Sequence, residues 1–353
     1  CPVDAGGDMS RPLSTLQALE EASLISPEDA AALAPVADRY AIAVTPFLAD
    51  RIDRSDPEDP IARMFVPQPD EMVRTPEELN DPIGDEAHTP VRGVVHRYPD
   101  RVLLKPVAVC PVYCRFCFRR EMVGPGIGET LSPAELEAAL DYIRAQSGVR
   151  EVILTGGDPF MLSAARAKAL TQAIAAIPHI DVIRWHTRMP VADPERITAE
   201  FAEALKADGK AVYVSIHINH VKELTPETQA AAARLADAGF PLVSQSVLLR
   251  GVNDNVAALA DLVQALVAAR IRPYYLHHPD MAPGTGHFRV SVEEGQALYS
   301  ALRDCVSGLA LPHYVIDIPG GVSKANAALS DVVETPEGRA LRGRDGNLHP
   351  YKG

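Results

Sequence analysis

The chain has 353 residues, 47% of them hydrophobic, which is enough to bury one large core. Its 34 basic and 47 acidic residues give a formal charge of −13 at pH 7, which argues against a nucleic-acid or anionic-membrane surface. No apolar run approaches the roughly 18–20 residues that span a bilayer, the N-terminus lacks a signal-peptide pattern, and clustered cysteines suit a reducing compartment. We therefore expect a cytoplasmic protein that binds neither nucleic acid nor membrane.

Residues 1–95 predict a helical N-terminal appendage packed on the rest of the chain. Amphipathic helical patterns come first. A passage rich in proline and acidic residues follows, from Asp53 to Pro90. The predicted helices are Thr15–Leu24, Pro27–Leu33, Pro35–Ala43 and Thr45–Ile52, and the short apolar run after the acidic passage is Val91–Val95.

From about residue 102, short β-branched runs alternate with longer amphipathic stretches, a pattern typical of βαβ units around a parallel sheet. We therefore predict an α/β fold, a partial parallel (β/α) barrel of about six units over residues 96–327. The predicted strands are Val102–Val109, Glu151–Thr155, Val182–His186, Ala211–Ile218, Leu242–Leu249, Arg272–His277 and Tyr314–Ile318. The predicted helices are Ser132–Gln146, Ala164–Ile177, Pro194–Ala207, Pro226–Ala238, Asn255–Ala269 and Val292–Gly308.

Two local features complete this outline. Ser132-Pro-Ala-Glu135 is a capping box with proline at the first helical position, which marks one helix start clearly. The tail, residues 328–353, is polar and contains glycines, and we predict a loop or a subunit contact there. On a barrel, functional residues gather at the C-terminal strand ends. The residues at or near those ends are Cys110, Gly156, His217, Gln245, Asp280 and Asp317.

Three cysteines, Cys110, Cys114 and Cys117, are separated by three and then two residues. Such thiolates can ligate three irons of a cubane iron–sulfur cluster. The remaining cysteines, Cys1 and Cys305, lie far away in sequence, so the fourth iron would be open to a small molecule. The missing fourth ligand argues against a plain electron carrier. A zinc site or three buried thiols is the competing interpretation, disfavoured because no further Cys or His lies nearby as a fourth zinc ligand.

Three further motifs suit cofactors, although each has an ordinary alternative. The Gly156-Gly157-Asp158 turn lets backbone approach a ligand closely, but the same residues are common in turns. Lys324 follows a glycine-rich turn and could form a Schiff base with pyridoxal phosphate, but a surface lysine is the more frequent outcome. The stretch His96–Arg101 supplies two guanidinium groups suited to a phosphate, or an exposed charged turn.

Together these segments resemble the lysine 2,3-aminomutase family, radical S-adenosylmethionine enzymes that depend on pyridoxal phosphate. The resemblance runs from about His96 to Lys324. It is carried most specifically by the cysteine motif with Arg119 and Arg120, and by the segment 244–254, Ser-Gln-Ser-Val-Leu-Leu-Arg-Gly-Val-Asn-Asp.

The resemblance implies a role for each matched residue. For the [4Fe–4S] cluster these are Cys110, Cys114 and Cys117. For S-adenosylmethionine they are Gly156, Gly157, Asp158, His217 and Gln245. For pyridoxal phosphate they are Lys324 as the covalent anchor, Arg97 and Arg101 on the phosphate, and Tyr98 beside it. For the substrate they are Arg119 on the carboxylate, and Asp280 and Asp317 on the ε-ammonium of lysine.

The resemblance also implies a reaction: transfer of the L-lysine amino group from C2 to C3, giving β-lysine, through a 5′-deoxyadenosyl radical and an external aldimine. The cluster would receive its electron from a donor of flavodoxin or ferredoxin type. Two acids facing one ammonium suit lysine and disfavour glutamate, because a desolvated cation needs close opposite charge. Other amino acids (glutamate or alanine), the lysine aminomutases that modify elongation factor P, and a non-catalytic iron–sulfur or regulatory protein stay open as alternatives.

The chain departs from the clostridial-type family members in one respect. Those enzymes carry a zinc site built from a cysteine just after the Gly-Val-Asn-Asp segment and others in the C-terminal tail. Here Asn255 occupies the first position, and no cysteine follows Lys324. We therefore predict no structural zinc, which leaves the family's homo-oligomeric assembly open. Of the neighbouring His277 and His278, we expect one to line the pyridoxal pocket and the other to be structural.

Overall fold

Nine strands form one sheet whose order in space follows their order in the sequence. The computed structural model describes residues 11–124, 130–336, 338–343 and 346–351. The strands are β1 (Val94–Tyr98), β2 (Arg101–Val107), β3 (Glu151–Gly156), β4 (Val182–Thr187), β5 (Ala211–His217), β6 (Leu242–Val247), β7 (Ile271–His277), β8 (His313–Asp317) and β9 (Lys324–Asn326).

The central strands of this sheet are parallel. Each strand from β2 to β8 pairs in parallel with the next, which makes seven strands and six crossover connections. The edge strands β1 and β9 pair in the antiparallel sense, β1 with β2 and β9 with β8. The predicted partial barrel of about six units is confirmed, and its seven parallel strands match the predicted runs to within two residues at each end.

Eleven α-helices lie in the described part of the chain. They are α1 (Leu16–Glu21), α2 (Pro27–Arg39), α3 (Pro46–Ala49), α4 (Pro60–Phe65), α5 (Pro133–Ala145), α6 (Ala164–Ala175), α7 (Met189–Ala192), α8 (Ala199–Ala204), α9 (Pro226–Asp237), α10 (Val256–Ala268) and α11 (Val292–Cys305). No described helix has both the length and the apolar character needed to cross a membrane.

Two helix predictions need correction, and two short helices, α4 and α7, were not predicted. The two helices predicted on either side of Pro35 are one helix, α2, because the buried Leu33 and Val36 hold its inner face across the proline. The helix predicted over Pro194–Ala207 is divided into a 3-10 turn, Pro194–Arg196, and α8. Helix α4 was not predicted: it lies within the acidic passage, where Asp59 caps its first turn.

The N-terminal helices and the barrel share one hydrophobic cluster, which contains Leu48 and Phe65 from the first region and Trp185 from β4. The hydroxyl of Thr45 also donates to the carbonyl of Ala192, at 2.5 Å. Strand β1 spans the predicted boundary at residue 95. The division into domains stays a prediction, and its first ten residues lie outside the described part of the chain.

The tail forms strands in place of the predicted loop. They are β10 (Val332–Thr335), β11 (Gly338–Arg342) and β12 (Leu348–Pro350), and they make a small antiparallel sheet. Arg303 of α11 forms an ion pair with Asp331, which ties the start of this sheet to the barrel. The predicted subunit contact stays a prediction.

The capping box of α5 provides a stability test. Ser132 Oγ accepts from the Glu135 amide at 3.3 Å, and Glu135 Oε2 accepts from the Ser132 amide at 2.8 Å. Ser132→Ala leaves a helix-terminal amide without its acceptor and should lower the free energy of unfolding by about 1 kcal/mol, measured by urea unfolding. Ser147→Ala, in the exposed turn after the same helix, is the control. Equal losses in the two variants would contradict a stabilising cap.

Candidate active site

A cavity of about 370 Å³ collects most of the predicted site residues. Its lining comes from β1, the cysteine loop and the C-terminal parts of the barrel strands. The predicted residues that line it are Arg97, Tyr98, Arg101, Cys114, Cys117, Arg119, His217, Gln245, Asp280, Asp317 and Lys324. Those that do not line it are Cys110, Gly156, Gly157 and Asp158; the two glycines line a neighbouring cavity that also reaches Arg119.

The three cysteines of the predicted cluster site are free thiols on the loop after β2. Burial raises the pKa of the Cys110 thiol, and the charges of Asp158, Cys117 and Cys114 add to that rise. Cys114 and Cys117 line the same cavity, and Cys110 lies four residues before Cys114 on the same loop. No group of three or more His, Cys, Asp or Glu side chains in the described ranges surrounds a single metal ion. A cubane carries each thiolate on a different iron, so its ligands need not converge on one point. The donor set therefore fits a three-cysteine cluster.

Buried ion pairs neutralise the arginines that lie on and beside the cysteine loop. Glu71 Oε2 accepts from Arg115 Nη2 at 2.5 Å and also forms an ion pair with Arg120. Arg188, beside Cys114, pairs with the buried Glu223. Neither acid belongs to a motif that is recognisable in the sequence. The available signal was the density of arginines around the cysteines, because a buried guanidinium needs a buried carboxylate.

The Gly156–Asp158 turn is packed tightly against the cysteine loop. A Cβ on Gly157 would lie 2.4 Å from the Val109 carbonyl oxygen, so only glycine fits there. Asp158 uses both carboxylate oxygens internally: Oδ1 accepts from the Thr187 hydroxyl at 2.8 Å, and Oδ2 accepts from the Arg188 amide at 2.7 Å. Its side chain thus joins the ends of β3 and β4, and the turn offers a ligand its backbone rather than this carboxylate.

Lys324 lies at the start of β9, beside the end of β8. Its Nζ donates to both carboxylate oxygens of Asp317 at 2.6 Å, and its amide donates to Tyr98 Oη at 3.2 Å. Burial of Asp317 opposes its charge. The hydrogen bond from His277 and the charge of Lys324 outweigh burial and lower the pKa of Asp317 well below its usual range. Asp317 is therefore ionised and holds a primary ammonium.

Asp280 faces the same space in a different electrostatic environment. Burial and the nearby charge of Asp317 raise its pKa to about 7, although the charges of Lys324, Arg119 and Arg97 partly offset that rise. Two carboxyl groups thus share one region of the cavity. Asp317 is ionised, whereas Asp280 titrates near neutral pH, where an approaching cation would favour its charged form.

The phosphate candidates are on the hairpin of β1 and β2. Arg101 donates to Asp100 at 2.8 Å, and its guanidinium lies 3.7 Å from the ring centre of Tyr98. Arg97 donates to the carbonyl of Ile83 at 2.7 Å. Both guanidinium groups line the cavity with Lys324, so a lysine and two arginines fit an aldehyde and a phosphate carried by one molecule.

Arg119 is held by an acid that sequence analysis missed. Its Nε donates to Asp85 Oδ2 at 3.0 Å. Asp85 also accepts from Arg97 at 3.2 Å and from Lys105 at 3.4 Å. Burial alone would raise the pKa of Asp85, but the charges of Arg119, Lys105 and Arg97 outweigh it and lower the pKa to about 2. The acid-rich passage before β1 therefore supplies part of the site.

The two adjacent histidines differ as expected. His277 lines the cavity, with its Nδ1 3.5 Å from Asp317 Oδ2. His278 instead shares a 2.8 Å hydrogen bond with Tyr314 Oη, which lies in the hydrophobic cluster behind the sheet. On β5, His217 Nε2 lies 3.2 Å from Asn219 Oδ1, which orients its ring at the cavity wall.

Comparison with known proteins agrees with this geometry. A family model described as the Radical SAM superfamily matches residues 104–263. L-lysine 2,3-aminomutase of Clostridium subterminale is 36% identical over 340 residues, 96% of this chain and 81% of the relative. The Escherichia coli K12 protein of the same name is 37% identical over 285 residues, 81% of this chain and 82% of the relative. Glutamate 2,3-aminomutase of Clostridioides difficile is 34% identical over 316 residues, 90% of this chain and 74% of the relative.

The radical SAM family uses a [4Fe–4S] cluster and S-adenosylmethionine, and lysine 2,3-aminomutases use pyridoxal phosphate as well. The thiols, arginines and lysine described above are the side chains that such groups require. The chain therefore belongs to the lysine 2,3-aminomutase family and is a radical SAM aminomutase.

Proposed function

We propose that the substrate is L-lysine and the product β-lysine. The observation that carries this proposal is the pair of carboxyl groups, Asp280 and Asp317, in the cavity that also contains Lys324 and Arg119. The names of similar proteins do not decide the substrate, because both lysine and glutamate aminomutases match the chain over most of its length. The charge of the cavity is therefore the better guide.

The acid pair favours a substrate with a distal ammonium. Asp317 already accepts a primary ammonium, that of Lys324, through both oxygens. Asp280 lies beside it and has a pKa of about 7. A second cation nearby would therefore favour the ionised form of this carboxyl group. The side-chain carboxylate of glutamate would add a third negative charge to this space, at a cost in a buried site.

Arg119 is the proposed partner of the substrate's α-carboxylate. The side chain is buried, with its charge close to both Asp85 and Asp280. A planar guanidinium can donate two parallel hydrogen bonds to a carboxylate, which fixes the orientation as well as the position of an amino acid. Binding at both ends of lysine would place C2 and C3 reproducibly in the cavity.

The cofactor residues are proposed on the same basis. The cysteines Cys110, Cys114 and Cys117 would hold the cluster, and Gln245 and His217 would contact S-adenosylmethionine. Lys324 would be the covalent anchor of pyridoxal phosphate, with Arg97 and Arg101 on its phosphate. When bound, these groups supply a hydrogen-abstracting carbon radical and a conjugated ring that delocalises an unpaired electron.

The apolar part of the cavity lining would protect that chemistry. Phe116, Phe288, Val247 and Leu249 line the space between the cysteine loop and the barrel strands. Of these, Phe288 and Leu249 are fully buried. Such a wall excludes water and keeps a reactive radical away from oxidisable side chains.

The proposal extends to partners and cell location. The cluster would be reduced by a donor of flavodoxin or ferredoxin type in the cytoplasm, where free thiols such as these persist.

A homo-oligomer is supported by apolar side chains exposed along the tail. These are Leu329, Val332, Leu348 and Tyr351. Exposed apolar side chains on one short segment of the chain are typical of a subunit contact.

The cluster assignment predicts the effect of removing single thiols. Cys110→Ala, Cys114→Ala and Cys117→Ala should each abolish the visible cluster absorbance, lower the bound iron content and eliminate turnover, because each thiolate ligates one iron. Anaerobic reconstitution with iron and sulfide, followed by iron analysis, measures this. Cys305→Ala, at an exposed position, is the matched control and should behave as wild type. Full iron content in Cys114→Ala would refute the assignment.

The Lys324 assignment predicts the site of covalent labelling. Borohydride treatment of the protein loaded with pyridoxal phosphate should fix the cofactor to the peptide that contains Lys324, because this amine lines the cavity beside the two arginines. Peptide mass spectrometry measures the label. Lys210→Arg, distant from the cavity, should leave the labelling unchanged. A label on Lys105 would contradict the proposed cofactor orientation.

The substrate proposal predicts which amino acids react. Asp280→Asn and Asp317→Asn should each lower kcat/KM for lysine by at least about 100-fold, because a buried ammonium that loses one of two acids is under-compensated. The Lys324 label should persist in both. Wild type should prefer L-lysine over L-glutamate, L-alanine and L-norleucine in anaerobic assays with S-adenosylmethionine, pyridoxal phosphate and dithionite. Equal or faster reaction of glutamate or alanine would overturn the substrate while leaving the reaction class intact.

A further inference from the structure

The segment Asp81–His88 is a rigid turn of the acidic passage before β1. The Asp81 carboxylate accepts from two backbone amides ahead of it: Oδ1 from Asp85 at 2.8 Å, and Oδ2 from Glu86 at 2.8 Å. A 3-10 turn, Glu86–His88, follows directly. Two charge-assisted hydrogen bonds within five residues fix the backbone that carries the Asp85 side chain.

This segment packs backbone to backbone against the turn that precedes Lys324. The Gly320 amide donates to the Pro82 carbonyl at 3.2 Å. A Cβ on Gly84 would lie 2.3 Å from the Gly320 carbonyl oxygen, and a Cβ on Gly321 would lie 2.3 Å from the Ile83 carbonyl oxygen. Glycine on each side permits this approach, and the segment is therefore held at a fixed place in the site.

In this position the Asp85 carboxylate contacts three cationic side chains, which come from different parts of the site. Its side chain is 1% exposed. It pairs with Arg119 of the cysteine loop, with Arg97 of β1 and with Lys105 of β2. Without this acid, three buried or half-buried positive charges would face one another uncompensated, at a considerable cost.

The contact with Arg119 leaves the end of the guanidinium available. Arg119 donates to Asp85 through Nε, and among the described residues its two terminal nitrogens have no hydrogen-bond partner. A carboxylate approaching the terminal nitrogens could therefore be bound while Asp85 remains in place. This geometry suits an acid that orients the arginine, rather than one that competes with a ligand for it.

Arg119 also needs such an orienting contact, because it borders two spaces. Its side chain lines the main cavity and also the neighbouring cavity bounded by Lys105, Gly156 and Gly157. A long, flexible side chain has several staggered rotamers, and the Asp85 hydrogen bond holds Arg119 Nε in one of them.

We propose that Asp85 is a positioning residue, which orients Arg119 toward the α-carboxylate of the amino acid substrate. The proposal rests on the proposed function, in which Arg119 binds that carboxylate. One acid on a rigid segment thereby fixes the guanidinium that receives the substrate's carboxylate.

Ligand binding to the reconstituted full-length protein tests this role. Calorimetric titrations under anaerobic conditions compare L-lysine with cadaverine, which keeps both amines but lacks the carboxylate. Asp85→Asn should weaken lysine binding by tenfold or more while changing cadaverine binding by less than twofold.

Two further variants separate positioning from folding and from charge alone. Asp85→Glu keeps the charge but moves the carboxylate outward by one methylene. It should weaken lysine binding more than cadaverine binding, by a smaller factor than Asp85→Asn, and it remains informative if Asp85→Asn fails to fold. Glu86→Gln removes an exposed acid from the adjacent position and should match wild type in every titration.

Three results would overturn the proposal: unchanged lysine binding in Asp85→Asn, equal weakening of lysine and cadaverine, or tighter lysine binding. The last is the outcome expected of an acid that merely competes with the substrate for Arg119. Failure of wild type to bind lysine would instead refute the proposed substrate. The amino acid that wild type does bind, with its decarboxylated amine, then replaces the lysine pair, and the same three results decide the role of Asp85.

Discussion

The arrangement of the site depends on neutralising buried guanidinium groups. The cysteine loop brings Arg115, Arg119 and Arg120 into the interior with the thiols, and a buried cation is tolerated only beside a carboxylate. Glu71 and Asp85 provide these carboxylates, and both come from the acidic passage that precedes the barrel. The N-terminal region therefore contributes charges that the site needs, in addition to packing against the barrel.

Local pattern was sufficient to predict the barrel. Each of the parallel strands β2 to β7 is a short apolar run with an amphipathic helix between it and the next strand, and neighbours in the sheet are neighbours in the sequence. The strand order of such a sheet can be predicted without knowing which residues pair over long distances in the sequence. The errors arose where packing outweighed propensity, as at Pro35, which lies inside α2 because Leu33 and Val36 are buried on one face. The tail strands escaped prediction because they are short and mostly exposed.

The site was predictable to the extent that its residues belong to motifs. Arg97, Lys324 and Asp317 stand in recognisable segments, and the structure brings them into one cavity. Asp85 and Glu71 could not be identified in this way, because an acid acquires its role from a partner dozens of residues away. Arg119 is 34 positions from Asp85 along the chain. Asp158 shows the converse: its motif was recognised, but its carboxylate is used to join two strands.

The hydrogen bond between the Lys324 amide and Tyr98 Oη joins residues that are 226 positions apart, at opposite edges of the sheet. It spans the gap that the open barrel leaves between its first and last strands. Because β9 is the last strand of this sheet to be synthesised, the contact between Lys324 and Tyr98 can form only after the other eight strands have been made. The cavity wall that contains Lys324 is therefore the last part of the barrel to be completed.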